Sequence, residues 1–220
     1  KTFAEGDRQR RVFSNLNASI RKGEFVVLLG RSGSGKSTLL NLISGIDLPS
    51  GGEVRIGGRN LTGMTEQQRT LFRRDHIGFV FQFYNLIPTL NVMENLLLPL
   101  ELKKSLDADS QRRALDILQQ VGLEDRSASY PDRLSGGEQQ RVAICRALIH
   151  NPLVLLADEP TGNLDAESGR EVLALLDQLI RKGRMTALMV THSAEVARLA
   201  DRVITIKDGG LVETAASTEA

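Results

Sequence analysis

The run EFVVLLG, Glu24 to Gly30, has five consecutive apolar residues and no polar face. A strand of that composition is buried on both sides, which in a water-soluble domain means a parallel sheet layered between helices. The chain then turns through GRSGSGKST, Gly30 to Thr38, and enters STLLNLISGI, whose apolar spacing is helical. A buried strand, a glycine-rich turn and a helix in immediate succession predict an α/β protein built round a parallel sheet. Its 220 residues, 41% of them hydrophobic, suffice for one such domain.

The turn has the spacing G-x-x-x-x-G-K-[ST] in the strand–turn–helix context that gives the spacing meaning. Glycines let the backbone of Gly30, Ser32, Gly33, Ser34 and Gly35 curl until successive N–H groups face one anion. The helix that starts at Lys36, Ser37 and Thr38 adds about half a positive charge at the same point. Lys36 is the expected cation for the β- and γ-phosphates, and the Ser37 hydroxyl the expected Mg²⁺ ligand. The expected ligands are therefore ATP, or another nucleoside triphosphate, and Mg²⁺.

LVLLADEPT is a second apolar strand, and it ends in Asp158 and Glu159. Side chains alternate along a strand and Pro160 stops it, so the two acids are expected to face different sides and take different tasks. Asp158 would hold Mg²⁺ through its waters. Glu159 would orient and deprotonate an attacking water, a step worth roughly 10²- to 10⁴-fold in rate. The plainer reading, an acid pair marking the wet edge of a sheet, loses force beside the phosphate loop. His192 closes LMVTH at a third strand's C-terminal end, the edge where open α/β sheets bind ligands, and is expected to reach the γ-phosphate.

Elsewhere the pattern predicts a half-buried strand through Leu16, Ala18 and Ile20, a short strand in GGEVRIGGRN and a buried one in HIGFVFQ. Helices are expected from about Asn91 to Gly122, in ESGREVLALLDQLIRK and in AEVARLA, and a final strand in RVITIKDGG. Lys+Arg 28 against Asp+Glu 27 leaves a net charge of +1, so nothing points to nucleic acid as a partner. Arg8, Arg10 and Arg11 read as a solvated basic loop. One cysteine, Cys145, excludes an internal disulfide and fits a reducing compartment. The apolar runs are far shorter than the roughly 20 residues that span a bilayer, so a membrane role is expected to come through a partner. The chain opens at Lys1 without an initiator methionine, from which further natural sequence upstream is expected.

A second glycine-rich helix start, LSGGEQQRVAICRAL, runs from Leu134 to Leu148. Ser135 and Glu138 form an S-x-x-E capping box, so one reading is a well-capped helix. That leaves Gly136 and Gly137 unexplained, since glycine costs about 1 kcal/mol against alanine inside a helix. Bare backbone at a helix N-terminus is also an anion site. One triphosphate does not readily fill two such sites in one domain. The glycines of one copy are therefore expected to close on the γ-phosphate held by a second copy.

LSGGEQQR resembles the signature motif of ATP-binding cassette (ABC) ATPases. The order of phosphate loop, FVFQ, signature, LLADEPTGNLD and VTH matches that family over nearly the whole chain. The resemblance implies a single ABC ATPase domain, 1–220, of the P-loop NTPase (RecA-like) class. Its parallel sheet core would carry an antiparallel β subdomain and an inserted α-helical subdomain at about 88–140; the terminal TAASTEA, 214–220, itself reads as a disordered tail. It implies that Gln82 senses Mg²⁺ and the membrane partner and acts with Lys36, Glu159 and His192 in catalysis. Asn163, Leu164 and Asp165 are similar to the dimer-contact D-loop. Phe3 stands where the family stacks an aromatic on adenine, the alternative being a core aromatic. GFVFQFYNLIPTLNVMENLLLPL and ADEPTGNLD resemble the group that powers lipoprotein release, macrolide-type export and related mechanical transporters.

Two departures are visible. Cys145 replaces a usual alanine and is expected to be a small buried hydrophobe. Ser193 replaces a usual aspartate and is expected to cap the next helix. The resemblance also implies integral membrane permease subunits docking along Gln82 to Leu90, where Phe83, Tyr84, Leu86, Ile87 and Leu90 gather, about half of them filling the chain's own core. That puts the expected location at the cytoplasmic face of the membrane. An ATP-dependent switch in a non-transport, cell-division type complex is the alternative to a transport engine.

Overall fold

A computed structural model describes residues 1–6 and 8–214. In chain order, strands β1 (Thr2–Glu5) and β2 (Arg8–Arg11) form an antiparallel ribbon. Strand β3 (Phe25–Leu29) leads through the phosphate loop to helix α1 (Lys36–Ile43). A second ribbon, β4 (Arg55–Ile56) with β5 (Arg59–Asn60), precedes α2 (Glu66–His76) and β6 (Ile77–Val80). Then come α3 (Val92–Leu102), α4 (Ser110–Gln120) and α5 (Gly136–Leu148). The last part alternates: β7 (Val154–Asp158), α6 (Ala166–Gly183), β8 (Thr186–Thr191), α7 (Ala194–Ala197), β9 (Arg202–Lys207) and β10 (Gly210–Thr214).

The main sheet has the order β10-β9-β3-β8-β7-β6, parallel throughout except for β10, which runs antiparallel to β9. Apolar residues alternate between its two faces, as strand geometry requires. Val26, Leu28, Leu156, Leu188 and Val190 pack with Leu39, Leu40 and Leu42 of α1 and Phe72 of α2. Val27, Leu155, Ala157, Ala187 and Met189 pack on the opposite face with residues of α3, α4, α5 and α6. The phosphate-loop helix and the signature helix therefore lie on opposite sides of one sheet.

Some expectations need correction. Leu16 to Ile20 forms no strand; its apolar–polar alternation reflects contact with the core rather than ladder pairing. Leu16 and Ile20 instead lean half-buried against the core. Arg8, Arg10 and Arg11 lie in β2 rather than in a loop, although their side chains are exposed as expected. Helix α2 starts with a capping box of Thr65 and Gln68 that is visible in TEQQ. The terminal strand proves to be a hairpin, β9–β10, and Thr214 belongs to it. The rest of the expected disordered tail lies outside the described residues.

Candidate nucleotide site

The register of the sheet collects the predicted residues on one edge. Leu29 pairs with Thr191, Asp158 with Val190 and Val80 with Ala157. Gly30, Glu159, His192 and Phe81–Gln82 each follow closely on a strand's C-terminal end along that edge.

In the phosphate loop, Gly35 caps α1 with φ 100°, and a Cβ there would lie 2.8 Å from both Phe13 Cζ and Val12 Cγ1. Only glycine fits both demands. Gly35 offers α1 no side-chain cap, so the first-turn N–H groups keep their capacity for an outside acceptor. Lys36 Nζ donates to the carbonyls of Gly30 at 2.9 Å and Arg31 at 3.2 Å, folding the lysine along its own loop. Ser34 Oγ is buried without a hydrogen-bond partner among the described residues. A cavity of about 310 Å³ lies between Gly33–Ser34, the Arg10–Val12 end of β2 and the β9–β10 turn at Asp208–Gly209. Phe3 faces Arg10 across the β1–β2 ribbon, half-buried, with Lys1 Nζ 4.5 Å from its ring centre, and belongs to neither core cluster.

The two acids separate by a different device from the one alternation suggests. Asp158 ends β7, but Glu159 leaves the strand with φ 46°, in the left-handed region that costs an L-residue on the order of 1 kcal/mol. Its N–H donates to Val190 O at 2.9 Å, which holds the kink against β8. The Glu159 carboxylate then lies between His192 Nδ1, 2.7 Å from Oε2, and Lys36 Nζ, 3.8 Å from Oε1. Glu159 is 19% exposed and His192 70%, so the pair opens toward solvent on the histidine's side. Burial raises the Asp158 pKa, a hydrogen bond from the Ser37 hydroxyl opposes that rise, and the Glu159 charge adds to it.

Asp158 and the Ser37 hydroxyl thus form a paired set of hard oxygen donors, the kind Mg²⁺ takes. Among the described residues no cluster of three His, Cys, Asp or Glu side chains could cage a metal. Such a donor set suits an ion that keeps waters and shares phosphate oxygens.

Gln82 Nε2 donates to Asn163 Oδ1 at 3.3 Å, and Asn163 Nδ2 returns a bond to Gln82 O at 3.1 Å. Asp165 caps α6, accepting from the N–H groups of Glu167 and Ser168 at 3.1 and 3.0 Å; these bonds keep its carboxyl below the usual range. That engagement lies wholly within the chain.

At the signature, the Ser135–Glu138 capping box is present in both directions. Gly136 has a reason inside the chain that sequence did not reveal: a Cβ there would lie 2.6 Å from Tyr84 Oη and 3.3 Å from Leu164 Cδ2. Sequence reasoning also missed two side chains of α5. Gln140 is buried and bonds to the carbonyls of Phe81 and Pro160, and Arg146 bonds to those of Tyr84 and Asn85. Nothing in sequence marks their partners, which lie 20 to 62 positions away.

In the expected docking stretch, Phe83 is 68% exposed and Ile87 is exposed, while Leu86 packs on the core and Tyr84 and Leu90 are half-buried. Cys145 is fully buried and its thiol is pushed up to about 12. Ser193 is the N-cap of α7 but makes no side-chain cap bond; Thr191 Oγ1 accepts from its N–H at 3.1 Å instead. No helix among the described residues is long and apolar enough to cross a membrane.

The family profile described as ABC transporter matches residues 13–162. An ABC transporter ATP-binding protein of Mycobacterium tuberculosis, itself uncharacterized, is 54% identical over 211 residues, 96% of this chain and 85% of its own length. The macrolide export ATP-binding/permease protein of Escherichia coli is 46% identical over 213 residues, 96% of this chain but 33% of its own length. Among solved structures, the dimeric post-hydrolysis state of an ATP-binding cassette bound to ADP and Pi aligns at TM-score 0.88 and 42% identity, covering 100% of this chain and 97% of that one.

Proposed function

The chain belongs to the ABC transporter family, and from that premise we propose an ATP-hydrolysing subunit that closes as a dimer on two ATP molecules and moves membrane subunits. The observation that carries the dimer is the placing of α1 and α5 on opposite faces of one sheet. Two glycine-rich helix starts so separated do not meet on one phosphate within a chain, whereas two copies facing each other bring one of each together. The dimeric cassette with ADP and Pi supports this reading.

In each half the α1 N–H groups and Lys36 hold the phosphates, Lys36 exchanging its loop carbonyls for phosphate oxygens. Phe3 and the β1–β2 ribbon flank the nucleoside end of the cavity. Ser37 and Asp158, with Gln82 nearby, would hold Mg²⁺, which would supply positive charge to offset that of the phosphates. Glu159 accepts a proton from water as the water oxygen bonds to the γ-phosphorus and the bond to the β-phosphate oxygen breaks. His192, bonded to Glu159 Oε2, orients that carboxylate and meets the γ-phosphate. Ser135, Gly136 and Gly137 of the second copy close the site, and Asp165 borders the dimer contact. Loss of the γ-phosphate removes the anion that both halves hold, so the dimer opens.

The exposed Phe83 and Ile87 beside Gln82 are the docking surface for permease subunits, and the segment at about 88–140 transmits the motion. The chain thus works at the cytoplasmic face of a membrane. The fused permease of the macrolide export relative supports a membrane partner, and the chemistry of the cargo belongs to that partner.

The test is the mass of Glu159→Gln by light scattering with and without ATP and Mg²⁺. Doubling only with ATP, abolished by Ser135→Arg, is the expected result. A variant that binds ATP and stays monomeric, alone and with its permease subunits, would return the signature to a plain helix cap.

A further inference from the structure

We propose that Gln140 is a positioning residue that locks the signature helix to both segments carrying the reaction's polar groups, so that α5 moves them together. This rests on the ATPase reading above. Gln140 is 0% exposed, and its Nε2 donates to Pro160 O at 2.6 Å and to Phe81 O at 3.3 Å. Pro160 follows Glu159 and Phe81 precedes Gln82. One amide group therefore bridges the chain neighbours of the proposed base and of the Mg²⁺-sensing glutamine.

The rest of α5 extends the same link. Arg146 Nη1 and Nη2 donate to Asn85 O at 2.7 Å and Tyr84 O at 3.0 Å, and the Tyr84 hydroxyl lies 2.6 Å from where a Cβ on Gly136 would be. The segment from Phe81 to Asn85 is thus fastened to α5 at its start and its end. A buried polar side chain serves here because Pro160 and Phe81 present carbonyls that an apolar residue would leave without this donor. Gln140 Oε1 has no partner among the described residues, so the side chain retains an amide for its donor half alone. A partner's nucleotide that draws in the helix start at Ser135 and Gly136 pulls on the Glu159 and Gln82 segments together through Gln140, the one side chain of the two that reaches both.

The experiment compares wild type, Gln140→Met and Gln140→Glu in the full chain, reading turnover, KM, melting temperature and nucleotide affinity with Mg²⁺ and with EDTA. Methionine keeps the length of the side chain and removes the donor. Misplacement of reacting groups predicts kcat lower by about 10- to 100-fold in Gln140→Met. Affinity in EDTA, set by the phosphate loop, stays within about twofold, while the gain in affinity from Mg²⁺ is lost. Unchanged kcat and an unchanged Mg²⁺ gain in folded Gln140→Met would overturn the proposal.

If that variant does not fold, Gln140→Glu decides. Its ionised carboxylate faces two carbonyls, but its protonated form donates again to Pro160 O. Turnover relative to wild type should therefore rise from about pH 8 to about pH 6. A melting temperature that recovers over that range without turnover would reduce Gln140 to packing. An inactive wild type would instead be the failure of the ATPase reading, visible before any variant is made.

Discussion

The chain has two helix starts that carry glycines, and the two solve opposite problems. At α1 the cap is Gly35 in a left-handed conformation without a side-chain cap, so its N–H groups await an outside acceptor. At α5 the cap is Ser135, whose hydroxyl accepts from Glu138 N–H while the Glu138 carboxylate accepts from Ser135 N–H. The first start is left open by its own chain and the second is largely closed by it. A glycine pair in the first turn of a helix is therefore not by itself an anion site; the cap decides how much donor capacity remains.

The largest break in this contrast should come from Gly35→Ala. Its Cβ meets Phe13 and Val12 at 2.8 Å and its φ of 100° disfavours alanine, a combined cost on the order of 3 kcal/mol. Denaturant unfolding should register that loss, and ATP titration should show little remaining affinity. Retention of wild-type stability would mean that the loop relaxes freely.

Gly136→Ala sharpens the comparison further. Alanine improves helix propensity by about 1 kcal/mol, so stability should hold. ATP-driven doubling in mass should weaken about 10-fold, a change of roughly 1.4 kcal/mol, as Tyr84 is displaced. Adding Tyr84→Phe removes the hydroxyl 2.6 Å from the new Cβ. Recovery of doubling would assign the glycine to crowding within the chain, and no recovery would assign it to the partner's phosphate.

Ser135→Ala removes one side of the capping box and should cost about 1 kcal/mol in urea unfolding. Ser34→Ala in the open loop deletes a hydroxyl that has no partner among the described residues and should cost less.

The smallest effect concerns Asp158. Burial raises its folded pKa above the ordinary 3.8, so the folded state binds the proton more tightly than the unfolded state does. Its contribution to stability is then fully present below 3.8 and is lost as pH rises through the folded value. Asp158→Asn should accordingly be slightly more stable than wild type near neutral pH, with the gap closing as pH falls through the raised folded value and closed below 3.8. A gap that widens on acidification would show the Ser37 hydrogen bond outweighing burial. Mg²⁺-dependent affinity should fall in the same variant.

Much of the fold was legible because apolar runs and caps are local. The strands at Phe25, Ile77, Val154 and Thr186 and the helix at Gly136 follow from runs, glycines and S-x-x-E spacing alone. The strand expected at Leu16 to Ile20 is absent because alternation reports one buried side and not a pairing partner: Leu16 and Ile20 rest half-buried on the core without joining a ladder. The β1–β2 ribbon was missed because its β2 residues, RQRR, are all exposed and show no alternation.

The candidate site divides in the same way. By itself the sequence determined which residue types stand at the ends of which strands, since phosphate-loop spacing, paired acids and strand-end histidine are properties of short stretches. Only the tertiary structure decided how they meet. It turned Glu159 out of its strand to lie between Lys36 and His192, set Tyr84 against Gly136, and brought the Gln140 amide to Phe81 and Pro160. Those outcomes depend on sheet register and helix packing between segments 20 or more residues apart, where contact is set by shape and burial rather than by spacing along the chain.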